Sequence, residues 1–143
     1  MAHRDTLRFD IVDHVMLIVH ADVAPATDDW ARMILVRSSA TSGVRACLVV
    51  APPRATLNAA QRGDVVRFTK DGSIAVLTES ALIRGVAAAV GLLGVQVRAF
   101  APSEEERALN YLGLRQGRYP DALRRLALLK SQLAPSARNA TPT

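Results

Sequence analysis

Asp71-Gly-Ser-Ile-Ala-Val-Leu-Thr-Glu-Ser-Ala-Leu-Ile-Arg-Gly-Val-Ala-Ala-Ala-Val-Gly-Leu-Leu-Gly-Val-Gln-Val-Arg-Ala-Phe100 reads as strand, helix, strand. Asp71-Gly72 is a strong turn signal, and Ser73–Leu77 is a short apolar run of the length of a buried strand. Ser80 stands where an N-cap belongs, and a very apolar helix with Val86, Ala87 and Val90 follows from Glu79 to about Leu93, closed by Gly94. Val95–Phe100 then alternates apolar and polar. A helix that links two strands of one sheet brings the second back parallel to the first, so this stretch sets the fold class.

The pattern extends in both directions. Upstream, Val44–Val50 reads as a strand stopped by Pro52-Pro53, and a helix is expected from Thr56 to about Phe68, with Leu57, Ala60, Val65 and Phe68 on one face, Asp64 among them and Gly63 weakening it. Before that, Thr27 followed by Asp28 and Asp29 marks a helix start whose face carries Trp30, Met33 and Ile34, and which ends by Gly43. Leu7–Ile11 alternates, Val15–Val19 is continuously apolar, and Asp13-His14 turns between them, which makes a hairpin. Downstream, Pro102-Ser103 and Glu104–Glu106 open a helix that ends at Tyr111-Leu-Gly113. The expectation is an α/β fold with a mixed, mostly parallel sheet of about five strands covered by helices.

Residues 1–114 form this domain. Residues 115–133 form a basic amphipathic helix: Pro120 suits its first turn, Ala122, Leu126, Leu129 and Leu133 recur at helical spacing, and Arg124, Arg125 and Lys130 fall mostly elsewhere on the wheel. Residues 134–143 are too poor in apolar surface to order themselves.

With 50% hydrophobic but only 4% aromatic residues, the core must be made of Val, Leu, Ile and Ala. The longest apolar runs fall far short of the roughly 20 residues of a membrane helix, and the first ten residues mix charges and lack a signal-peptide run, which places the protein in the cytoplasm. The lone Cys47 lies inside a strand and reads as a small buried hydrophobe. Cations and anions balance up to residue 114, whereas residues 115–143 carry Arg115, Arg118, Arg124, Arg125, Lys130 and Arg138 against Asp121 alone. A neutral body argues against a nucleic-acid surface, which needs cations clustered over a broad face.

The order of elements, with Ile74-Ala-Val-Leu-Thr-Glu-Ser80 leading into Ala81-Leu-Ile-Arg-Gly-Val86 and then Val97-Arg-Ala-Phe-Ala-Pro-Ser-Glu104, resembles a bacterial STAS-like domain, the anti-sigma-factor-antagonist fold. The similarity spans roughly residues 7–114 and is nearest to the small stand-alone STAS/SEC14-like proteins of myxobacteria, on Pro25-Ala-Thr-Asp-Asp-Trp30 at the start of the first helix. The resemblance implies a non-catalytic regulatory role. It also implies a phosphorylated hydroxyl at the start of the helix after the third strand, which matches Thr56 here, although Ala55 and Leu57-Asn58 replace the family's Asp before that hydroxyl and Ser-Gly after it. Thr56 is therefore read two ways, as a plain N-cap and as a candidate phosphosite.

No sequence motif for catalysis stands out: His3, His14 and His20 have no Cys or second His at zinc-ligand spacing, and there is no phosphate loop or nucleophile elbow. The expectation is no enzyme, no metal and no cofactor. Ser80 and Arg84 lie where a strand hands over to a helix, the usual ligand crevice of parallel sheets, and are the candidate ligand-binding pair for a nucleotide or lipid; an N-cap and a surface charge explain them equally. The partner-binding candidates are Arg124, Arg125, Leu126, Leu129 and Leu133, an apolar stripe with a basic flank that either packs back on the domain or docks on a protein partner or a second copy.

Overall fold

The computed structural model describes residues 5–39 and 41–133. Five strands, β1 (Leu7–Val12), β2 (Val15–His20), β3 (Ala46–Val50), β4 (Ser73–Leu77) and β5 (Val97–Phe100), form one sheet in the order β1-β2-β3-β4-β5. β1 runs antiparallel to β2, and the remaining neighbours are parallel. The helices are α1 (Thr27–Arg37), α2 (Ala59–Phe68), α3 (Ala81–Leu92), α4 (Glu105–Tyr111) and α5 (Tyr119–Leu133), with a 3₁₀ turn at Gln116–Arg118. The α/β class and the mixed, mostly parallel sheet are thus those the sequence implies.

The alternation of side chains along the strands divides the core in two. On one face Val15, Leu17, Leu48, Ala75, Leu77 and Phe100 meet Leu109 and Leu112 of α4 with its end and Ala122, Leu126 and Leu129 of α5. On the other, Leu7, Met16, Ile18, Cys47 and Ile74 meet Trp30 and Met33 of α1, with Val65 and Phe68 of α2 packed alongside. Every residue of β2 is buried, which is why its run is continuously apolar where β1 alternates.

The helix starts differ from the sequence reading: α3 opens at Ala81 where Glu79 was expected, and α5 at Tyr119 where 115 was. α1 has no side-chain cap: Thr27 is already helical, and Asp29 turns its carboxylate to the Thr6 amide and hydroxyl, at 2.7 and 2.6 Å, tying the helix to the start of β1. α2 begins three residues later than expected because Asn58, with Gln61, makes a reciprocal capping box that Thr56 cannot make. α4 starts at Glu105, preceded by Glu104, whose carboxylate accepts the Ala101 amide at 2.8 Å.

For α5 the structure shows the first of the two alternatives left open by the sequence, a helix packed back on its own domain. It lies across β1 and β2 and buries Leu126 and Leu129 at 1% and 6% exposure, with Leu133 packed on the same cluster. The apolar stripe is used by the chain itself, and among the described residues α5 is the helix that covers this end of that sheet face. Its cations are engaged too: Arg125 reaches Asp10 of β1 and Asp121, Lys130 reaches Glu105 at 3.0 Å, and exposed Arg124 pairs with Asp121, while Arg118 of the preceding 3₁₀ turn reaches Asp13 at 3.4 Å. Burial pushes the Asp121 carboxyl up, yet hydrogen bonds and charge from Arg125 and Arg124 outweigh it and hold it below the ordinary range. His14 Nε2, 2.9 Å from the Leu112 carbonyl, links the β1–β2 turn to the end of α4. The tail expected to be unstructured, 134–143, lies outside the described residues.

Candidate functional site

The parallel strands end level with one another, Val50 beside Leu77 and Leu77 beside Phe100, so their C-terminal ends form a rim where ligands bind in many α/β folds. Here the polar groups of that rim bond to each other. Buried Thr78 donates its hydroxyl to the Ala51 carbonyl at 2.8 Å and accepts the Ser80 amide at 3.0 Å. Ser80 Oγ accepts the Ile83 amide at 3.2 Å, so Ser80 is the N-cap of α3. Arg84 bends back to the Thr78 carbonyl through Nε and Nη2, at 3.3 and 3.2 Å. Glu104 completes the latch: the Ala101 amide first, then Arg107 and Arg84, hold its carboxyl below the usual range against the opposing effect of burial. Ser80 and Arg84 both lie at the strand-to-helix handover, and both are occupied in closing that turn.

Thr56 is exposed, between buried Ala55 and the Asn58 cap, with its amide on the Arg54 carbonyl at 2.9 Å. A shallow groove of about 360 Å³ runs between α1 and α2, walled by Trp30, Ile34, Leu35, Gln61 and Asp64. Trp30 donates its indole N–H to Asp64 at 2.8 Å and stacks on His20, centroids 6.4 Å apart. His20 is only 6% exposed, its Nδ1 has no hydrogen-bond partner, and burial lowers its pKa to about 4, so the ring is neutral. Burial likewise pushes the Cys47 thiol up to about 11, against a smaller opposing effect of Arg37, which leaves no reactive thiolate near neutrality. Among the described residues no cluster of three or more His, Cys, Asp or Glu is placed to hold a metal ion, and no helix is long and apolar enough to cross a membrane.

The least satisfied surface is one the sequence reading did not single out as a site. α3 packs chiefly on β5 and buries Ala87 alone. Its other faces expose Leu82 (68%), Val86 (50%) and Leu92 (89%), with Leu93 (82%) just after it, and between them lie exposed Ala81, Gly85, Ala88 and Ala89. Arg84 is the single charge from Ala81 to Leu93, and it is folded back onto Thr78. Fully burying a Leu or Val side chain stabilises by about 1.5–3 kcal/mol, so exposing this group forgoes on the order of 5 kcal/mol. A signal for it existed in the sequence: a helix apolar on all sides is one that other structure covers, and among the described residues this one packs chiefly on a single strand.

No protein-family model matches the chain, and no curated protein matches it either.

Proposed function

We propose that the chain is a non-catalytic, cytoplasmic protein-interaction module of STAS-like type whose recognition element is the outer face of α3. The observation that carries this reading is the exposed apolar group Leu82, Val86, Leu92 and Leu93 on a helix whose single charge, Arg84, is hydrogen-bonded to the Thr78 carbonyl. Contiguous exposed apolar surface of this kind marks interaction sites on soluble domains. The closed latch at Thr78, Ser80, Arg84 and Glu104 supports the same reading, since the strand rim offers its polar groups to the chain itself before any ligand. A regulatory role through Thr56 stays part of the proposal: the hydroxyl is exposed, and a phosphate there would stand just ahead of the α2 N-terminus, where backbone N–H groups favour an anion.

The test compares the tagged wild-type chain with Val86→Asp, first verified to be folded by circular dichroism, in affinity purification from the cells that naturally produce the protein. The reading expects a stoichiometric protein with wild type and its loss with Val86→Asp. Identical recovery from both, together with a melting temperature raised by a nucleotide or lipid in a way that Arg84→Ala abolishes, would replace it with ligand sensing at the rim.

A further inference from the structure

A second groove, of about 420 Å³, lies on the sheet face that α4 and α5 cover, between the edge strand β5, α4 and the start of α5. Buried Phe100 and Tyr119 and half-buried Tyr111 give it aromatic walls, and exposed Arg98 stands on its strand side. Arg98 and Phe100 are two residues apart on β5, so both side chains point to this face. The groove shares no residue with α3 and is independent of the role of that helix.

Its polar groups differ from those of the strand rim, which bond to one another and to nearby backbone. Here the side chains of Arg98 and Gln116 and the hydroxyls of Tyr111 and Tyr119 have no hydrogen-bond partner among the described residues. Arg98 forms no ion pair among them either. Its guanidinium lies 5.4 Å from the Phe100 ring centroid, a contact that holds the cation against an aromatic face and leaves its N–H fork free for an anion. Two other charges line the groove. Arg107 is paired with Glu104, and Tyr111, one turn on from it, meets Phe100 with ring centroids 5.8 Å apart, so the Arg107–Tyr111 row of α4 faces β5. Glu106 shares the next row with Asn110, about 100° round the helix and turned away from the strand. The unpaired charge beside the rings is therefore the Arg98 cation.

We propose that this groove binds a small aromatic anion, a planar ring that bears a carboxylate or a phosphate. The anionic group takes the Arg98 fork, whose parallel N–H donors match either oxyanion. The ring lies against Tyr111, because the guanidinium already occupies a face of Phe100, and aromatic pairs attract at centroid spacings of roughly 4.5–7 Å. The Tyr119 hydroxyl and the Gln116 amide remain for polar atoms on the ring. A cation already held on an aromatic face loses little freedom when the ligand arrives, so less of the interaction is spent on ordering it. The volume falls within the range of small-molecule sites, about 300–1,000 Å³.

NMR titration of the isotope-labelled full chain with indoleacetate and, separately, with adenosine monophosphate tests this. The expected result is saturable movement of the amide signals of Arg98, Phe100, Tyr111 and Gln116 with at least one probe, at a dissociation constant on the order of 1 mM or below. Acetate and inorganic phosphate, which lack the ring, and indole and adenosine, which lack the anion, should each bind at least about tenfold more weakly. Arg98→Gln, at an exposed position, should weaken binding at least about tenfold with the rest of the spectrum unchanged, and Arg98→Lys, which keeps the charge but not the fork, should not restore it. Tighter binding of indoleacetate supports the inference with a carboxylate ligand, and tighter binding of adenosine monophosphate supports it with a phosphate one. No saturable shift with either probe up to about 10 mM overturns it. So do shifts that Arg98→Gln leaves undiminished, or ring-free anions that bind as tightly as the probes.

Discussion

Arg125 of α5 donates to Asp10 of β1 at 3.1 Å across 115 residues of sequence, and the buried Leu126 beside it makes the final helix part of the domain core. Leu126→Ala should therefore destabilise the whole domain by about 2–5 kcal/mol in urea unfolding, as expected for a fully buried Leu. Arg125→Ala should leave the unfolding midpoint close to that of the wild type, because both partners of that pair are partly exposed and solvent screens them. If Leu126→Ala unfolds at the wild-type midpoint, the helix is not packed as described.

His20 couples stability to pH. Its folded pKa, lowered by burial to about 4, lies below the 6.5 of an unfolded chain, so as pH falls from 6.5 the unfolded state takes up a proton that the folded state refuses. Stability from this group is complete above pH 6.5 and declines by up to about 3 kcal/mol on the way to pH 4. His20→Leu removes the titration together with an unpartnered buried nitrogen. Thermal melts from pH 7 to 4.5 should show a flatter slope for the variant; equal slopes would count against a buried neutral imidazole.

Cys47 should resist alkylation. With the thiol at about 11 and the side chain buried between strands and helices, iodoacetamide should modify it only as fast as the domain opens, orders of magnitude more slowly than in denaturant. Rapid labelling of the native protein at pH 8 would show that the face carrying α1 and α2 is open.

The capping of α2 separates Asn58 from Thr56. Asn58→Ala should cost about 1 kcal/mol by removing the cap on the Gln61 amide, whereas Thr56→Ala should be neutral within about 0.5 kcal/mol. Chemical denaturation of the two variants distinguishes them, and a larger loss at Thr56 would restore it as the cap.

The sheet was legible in the sequence because its signals are local. The continuous apolar run of β2, the Asp71-Gly72 turn and the Ser80 cap each act within a few residues. What was not legible depended on distant partners. Thr27 and Asp29 follow the pattern of a capped helix start, but Thr6 competes for the Asp29 carboxylate from 23 residues away. The stripe Ala122, Leu126, Leu129 is the same whether a helix folds back or docks elsewhere, and only the uncovered face above β1 and β2 decides it. Ser80 and Arg84 lie where a ligand crevice belongs, yet residue type cannot show that the Ile83 amide occupies the Ser80 hydroxyl and the Thr78 carbonyl holds Arg84. On α3 the excess of apolar residues was plain; the absence of a second layer over it appears only once the sheet order places β5 at the edge.

Whether the α3 face is covered by another protein molecule inside the cell can be measured directly. Val86→Cys, in protein produced at its natural level, is exposed to a membrane-permeant maleimide in intact cells and, separately, after purification and dilution. The account predicts strong protection in cells and rapid labelling once the protein is dilute. Equal, rapid labelling in both settings would contradict it.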